Sequence, residues 1–145
     1  MNKIFKFIVL VYIFLFSLNT AFSKESFFDE ALKMYQSKKY NDARFMFERN
    51  IVINPKDAKS YLFLAKIYNH EEDQRKEEYN LETAMLIEPN NEEVLLMLMK
   101  IALKKSNYSK VRDLSQIFAK VCDKLCNENN QIQDTLKNLD PKNES

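Results

Sequence analysis

The segment INPKDAKSYLFLAKIYNHEEDQRKEEYNLETAMLIEP, residues 53–89, opens and closes on matching phrases, Ile53-Asn54-Pro55 and Ile87-Glu88-Pro89. Its prolines stand 34 residues apart. Shifting the whole chain by that interval aligns Phe27, Tyr61 and Leu95, then Ala31, Ala65 and Met99, then Met34, Tyr68 and Ala102. Phe47 falls on Leu81; Ile51 on Met85 and Ala119; Ile53 on Ile87 and Val121. A period of this length marks a repeat in which one supersecondary unit recurs and stacks on its neighbours.

Inside each unit the apolar residues recur at helical spacing. Tyr61, Leu64, Ala65 and Tyr68 follow the i, i+3, i+4, i+7 pattern, and Leu81, Ala84 and Met85 begin it again. Polar turns separate these runs at Ser37-Lys38-Lys39, Glu71-Glu72-Asp73 and Lys104-Lys105-Ser106-Asn107. Asp57 and either Asn90 or Asn91 suit helix N-caps, and Asn90 with Glu93 has capping-box spacing. Each unit therefore reads as helix, turn, helix, with proline at the exit.

Composition agrees and removes much else. The 145 residues contain no glycine, where an average chain of this length holds roughly ten. Phosphate-cradling P-loops, dinucleotide fingerprints, EF-hand loops and the G-x-S-x-G elbow are thereby excluded. Asn-Gly hairpins are absent too, which argues against an all-β chain. A formal charge of +1 offers no basis for nucleic-acid binding.

The repeat resembles the tetratricopeptide repeat, which has the same 34-residue period. The second unit carries the resemblance best, through Tyr61, Leu64, Ala65, Tyr68, Leu81, Ala84 and Pro89. The first has Phe27, Ala31, Tyr40, Ala43, Phe47 and Pro55, but departs at Glu30 and Asn50. The third keeps Leu95, Leu98, Ala102, Tyr108, Val111 and Phe118; it lacks the closing proline and has Ser115 for a large apolar residue. Where the family wants a small residue, Ala31 and Ala65 supply it and Met99 does not. The resemblance implies an all-α, right-handed solenoid with units at residues 24–57, 58–91 and 92–125. Residues 126–145 remain for a capping helix and a loose tail. Ile132, Leu136 and Leu139 lie on one face of that helix, as a lid on the last repeat requires.

In such solenoids the first helices of successive units line a groove that receives a peptide or helix. By register that groove comprises Phe28, Leu32 and Tyr35; Leu62, Phe63, Lys66 and Asn69; and Leu96, Met97, Lys100 and Leu103. Family members that clamp a C-terminal carboxylate use Lys, Asn and Arg at positions held here by Phe28, Leu32, Phe63, Glu93 and Met97. The clamp is therefore not expected. An apolar floor beneath Lys66 and Lys100 suits an apolar anchor with an acidic neighbour. The expected function is non-enzymatic protein binding, as an adaptor, scaffold or assembly factor, without a cofactor and without nucleic acid. Self-association, with a second copy in the groove, is the plainer alternative.

Other features bear on compartment and chemistry. Lys3 and Lys6 precede the uncharged run FIVLVYIFLFSL of residues 7–18, followed by Ala21 and Ser23. A basic start, a short apolar run and a small-x-small site read as a secretory signal cleaved after Ser23. The mature chain is then 122 residues long, with 20 bases against 21 acids, in a periplasmic or secreted setting. An uncleaved anchor is the competing reading, and only then would a membrane be a partner. Cys122 and Cys126 are the disulfide candidate in an oxidising compartment. At i, i+4 on an intact helix their Cβ atoms sit about 5–6 Å apart, too far for an unstrained bridge, so fraying after Cys126 is expected to relieve them. A redox or metal-handling protein using these cysteines is the alternative function. The one histidine, His70, reads as a surface residue, and Glu77, Glu78 and Glu82 as a solvated helix face beside Arg75 and Lys76.

Overall fold

The computed structural model describes residues 26–139. The expected signal segment, residues 1–23, and the end of the expected loose tail, residues 140–145, lie outside them. Among the described residues seven α-helices follow in order: α1 (Phe27–Gln36), α2 (Tyr40–Ile53), α3 (Ala58–His70), α4 (Gln74–Ile87), α5 (Glu92–Lys104), α6 (Tyr108–Val121) and α7 (Cys126–Leu139). Each packs on its neighbours in sequence, and α7 also reaches back to α5. The described chain is a tetratricopeptide-like helical solenoid.

The 34-residue period is visible in the helix ends. Asp73 and Asn107, one period apart, cap α4 and α6 by accepting the backbone N–H of Lys76 and Lys110 at 3.1 Å each. Ser26 caps α1, and Asn91, not Asn90, caps α5 by accepting from Val94 at 3.2 Å. Such a cap contributes about 1 kcal/mol. Asp57 precedes α3 but its carboxylate is drawn elsewhere. It accepts from Asn50 Nδ2 at 2.7 Å and Ser60 Oγ at 2.6 Å. This resolves the departure at Asn50, which is buried with its Nδ2 group donating twice, to Ser60 Oγ as well at 2.9 Å.

The three first-to-second helix turns share one backbone form. Lys38, Glu72 and Ser106 take φ of 59°, 60° and 54°, a left-handed conformation that favours glycine. The N–H groups of Lys39, Asp73 and Asn107 bond back to the carbonyls of Met34, Tyr68 and Ala102 at 2.9 Å each. A six-residue loop-back of this kind satisfies helix-end carbonyls whatever residue occupies the turn. The chain therefore makes the glycine turn three times without glycine.

Two apolar clusters fill the interior. One, rich in aromatic rings, joins α1, α2 and α3 around Phe47, Leu64 and Ile67. The other is mainly aliphatic and runs from α3 to α7, with Leu81, Leu95, Leu98, Met99 and Phe118 fully buried. Ile132 and Leu136 of α7 close its far end, and Ser115, buried, bonds Asn129 of α7 at 2.6 Å and contacts Gln133. The polar residue at position 115 thus serves the lid.

Candidate functional site

The eleven first-helix positions separate into two sets. Leu62 and Leu96 are only 6% exposed each and belong to the core between repeats. Phe28, Tyr35 and Phe63 close on one another at ring-centroid distances of 5.0 Å (Tyr35–Phe63) and 5.9 Å (Phe28–Phe63), with Phe63 stacked on Phe47 at 5.2 Å. Leu32 is half-buried on the same helix as Phe28 and Tyr35. Lys66 lies 4.7 Å over the Phe63 ring and pairs with Glu93 at 2.8 Å, so its charge is already answered inside the molecule.

Asn69, Met97, Lys100 and Leu103 behave differently. With Glu77 and Lys104 they line an open cavity of about 530 Å³ between α3, α4 and α5. Its counterpart one period earlier consists of Tyr35, Ala43, Phe63, Lys66 and Asn69, and there the Tyr35 and Phe63 rings occupy the space. Replacing that aromatic pair by Asn69 and Met97 is what leaves the second junction open.

Glu77 corrects the sequence reading. It is not part of a solvated face but 5% exposed, because its register mates Ala43 and Val111 are core residues on the inner side of their helices. Asn69 Nδ2 donates to its Oε1 at 2.9 Å. Burial pushes its carboxyl up from the ordinary range, opposed by that hydrogen bond and by the Lys104 charge. Its neighbour Glu78 turns the other way. It takes Lys105 and, at 3.2 Å, Lys110, and hydrogen bonding to Lys105 holds it below the usual carboxylate range. Lys110 also reaches Glu82 at 2.8 Å, so the remaining acids form an ion-pair strap from α4 to α6.

The cysteines require a second correction. Helix α6 stops at Val121, Cys122 is its C-cap and Cys126 begins α7. The break falls before Cys126, not after it, so the bridge spans an interhelix turn with Cα atoms 5.3 Å apart, within the usual disulfide range. Inside that turn the N–H groups of Lys124 and Leu125 donate to Glu92 of α5 at 3.1 and 2.9 Å. Those bonds, Leu125 foremost, hold the Glu92 carboxyl low. The bridge and Glu92 together dock the lid onto the first helix of the third repeat. His70 is exposed at the end of α3, its ring 4.5 Å from that of Tyr40.

No family model and no curated protein matches the sequence. Solved structures do match its fold. The type III secretion chaperone SycD of Yersinia enterocolitica, in complex with a peptide of the translocator YopD, superposes with a TM-score of 0.67 at 14% identity, covering 80% of this chain and 91% of that one. PcrH, in complex with the chaperone-binding region of PopD, gives 0.65 at 13% identity, over 80% and 90%. The Arabidopsis OM64 tetratricopeptide domain gives 0.65 at 17% identity, over 77% and 92%. At these identities the likeness is one of fold, and that fold is the tetratricopeptide solenoid.

Proposed function

We propose that this chain is an exported, non-enzymatic binding module that holds a segment of another protein in the cavity between its second and third repeats. The observation that carries this reading is the open 530 Å³ space at Asn69, Met97, Lys100 and Leu103, four positions that a ligand-facing groove predicts. Apolar walls with a few convergent polar groups are the usual make-up of a binding site. The peptide complexes of SycD and PcrH give the reading a precedent on the same fold. Export rests on the N-terminal pattern of residues 1–23, and processing is tested by the N-terminal residue of the secreted protein.

A photo-crosslinking residue at position 97 should trap a partner. The same residue at position 86, on the exposed outer face of α4, should not. Equal trapping at both positions contradicts the reading. A second reading, self-association, draws on a repeated outer stripe. Phe45 and Tyr79, like Val52 and Leu86, are register mates and strongly exposed, and paired apolar residues on a surface favour contact. Light scattering decides it: a monomer at high concentration removes the idea.

A further inference from the structure

Position by position, the second repeat breaks its own register at two contacting sites. Where the first repeat has Tyr35 and Ala43 and the third has Leu103 and Val111, the second has Asn69 and Glu77. One apolar pair has been exchanged for a hydrogen-bonded polar pair, and it faces the only one of the two inter-repeat junctions described above that is open. A buried carboxylate held by a single amide is an incomplete arrangement. Among the described residues no lysine or arginine forms an ion pair with Glu77, whereas Glu78 beside it has two. In the adjoining recess of about 380 Å³, lined by Glu72, Gln74, Glu77 and Lys104, the buried Gln74 Nε2 also lacks a partner among the described residues.

We infer that Asn69 and Glu77 form the specificity element of the cavity, receiving a lysine or arginine side chain of the bound segment whose acidic neighbour meets Lys100 or Lys104. Met97, Ile101 and Leu103 suit the aliphatic stem of such a side chain, as apolar surface generally does. The charged head gains a carboxylate that no cation among the described residues pairs with directly, Lys104 acting on it only through its charge. Gln74 Nε2 offers a donor for a carbonyl of the same segment. Lys100 and Lys104 make no ion pair among the described residues, so a purely basic ligand is repelled at the rim and a basic residue beside an acid is preferred. The inference rests on the proposed groove but goes beyond it in naming the ligand chemistry.

The test is selection of a random decapeptide display library on the folded protein. Selected peptides should share one fixed Lys or Arg with an Asp or Glu within two residues. Replacing that base by norleucine should cost about tenfold or more in affinity on the wild type and nothing further on Glu77→Gln, checked for unchanged helicity. The joint Lys100→Ala, Lys104→Ala variant should keep the base and lose the acid preference. Peptides without a fixed base that Met97→Glu nevertheless displaces overturn this inference and leave the groove standing. So does an equal norleucine loss on both proteins. Recovery of no peptide at all overturns both.

Discussion

The first and second inter-repeat junctions are made from the same register positions and end in opposite states. At the first, Tyr35 and Phe63 meet edge to face at 5.0 Å and Lys66 is consumed by Glu93. At the second, the equivalent Asn69 and Met97 leave about 530 Å³ open, with Lys100 free of ion pairs among the described residues and Glu77 buried where Ala43 stands earlier. In a solenoid each interface contributes nearly independently to stability. One junction can therefore be devoted to packing and the next to binding.

The largest expected effect follows from that division. Phe63→Ala should lower stability by about 3 kcal/mol, at the low end for a phenylalanine because the ring is half-buried, whereas its register mate Met97→Ala should cost about 1 kcal/mol. Urea unfolding of the two variants decides it, and equal losses would erase the distinction. Reducing the Cys122–Cys126 bridge should come next. A loop this short is worth about 2 kcal/mol, felt at the lid alone. Hydrogen exchange at Ile132 and Leu136 should quicken while α1 and α2 are unchanged. A uniform change along the chain would show that the lid is not a separate unit.

The adjacent acids of α4 separate the regions by pH. Glu77 has a raised carboxyl, so as pH climbs past the ordinary glutamate value the unfolded chain deprotonates first and stability falls. Glu78 has a lowered one, so its contribution is present above that value and is lost as pH falls through the folded one. Glu77→Gln should flatten the decline on the upper side, and Glu78→Gln the decline on the lower side, in thermal melts across mildly acidic pH. The smallest effect is a control shared by all junctions. Glycine at Lys38, Glu72 or Ser106 relieves a left-handed residue and should add about 0.5 kcal/mol each, net of its greater unfolded freedom. Unequal gains would mean the three turns are not equivalent.

The period, the seven helices and the lid were legible because they depend on apolar residues spaced along one chain, such as Tyr61, Leu64 and Tyr68. The site was legible only in part. Phe63 and Met97 hold the same register, and nothing in either residue type says which finds an aromatic neighbour to fill the space. Glu77 hides in the run Arg75-Lys76-Glu77-Glu78, where charge suggests water. Alignment with Ala43 and Val111 was the signal that it faces inward. Cys122 and Cys126 depend on where a helix stops, and their spacing alone favours an unbroken helix.

The most direct test of the central claim is a binding titration with a library-selected decapeptide on three folded proteins: wild type, Met97→Glu and Lys66→Ala. The account predicts a loss of at least about tenfold for Met97→Glu, since a carboxylate there removes the apolar wall and repels the acidic residue that meets Lys100, a cost of well over about 1 kcal/mol, and near-wild-type affinity for Lys66→Ala. Binding that survives Met97→Glu, or that vanishes with Lys66→Ala, would contradict it.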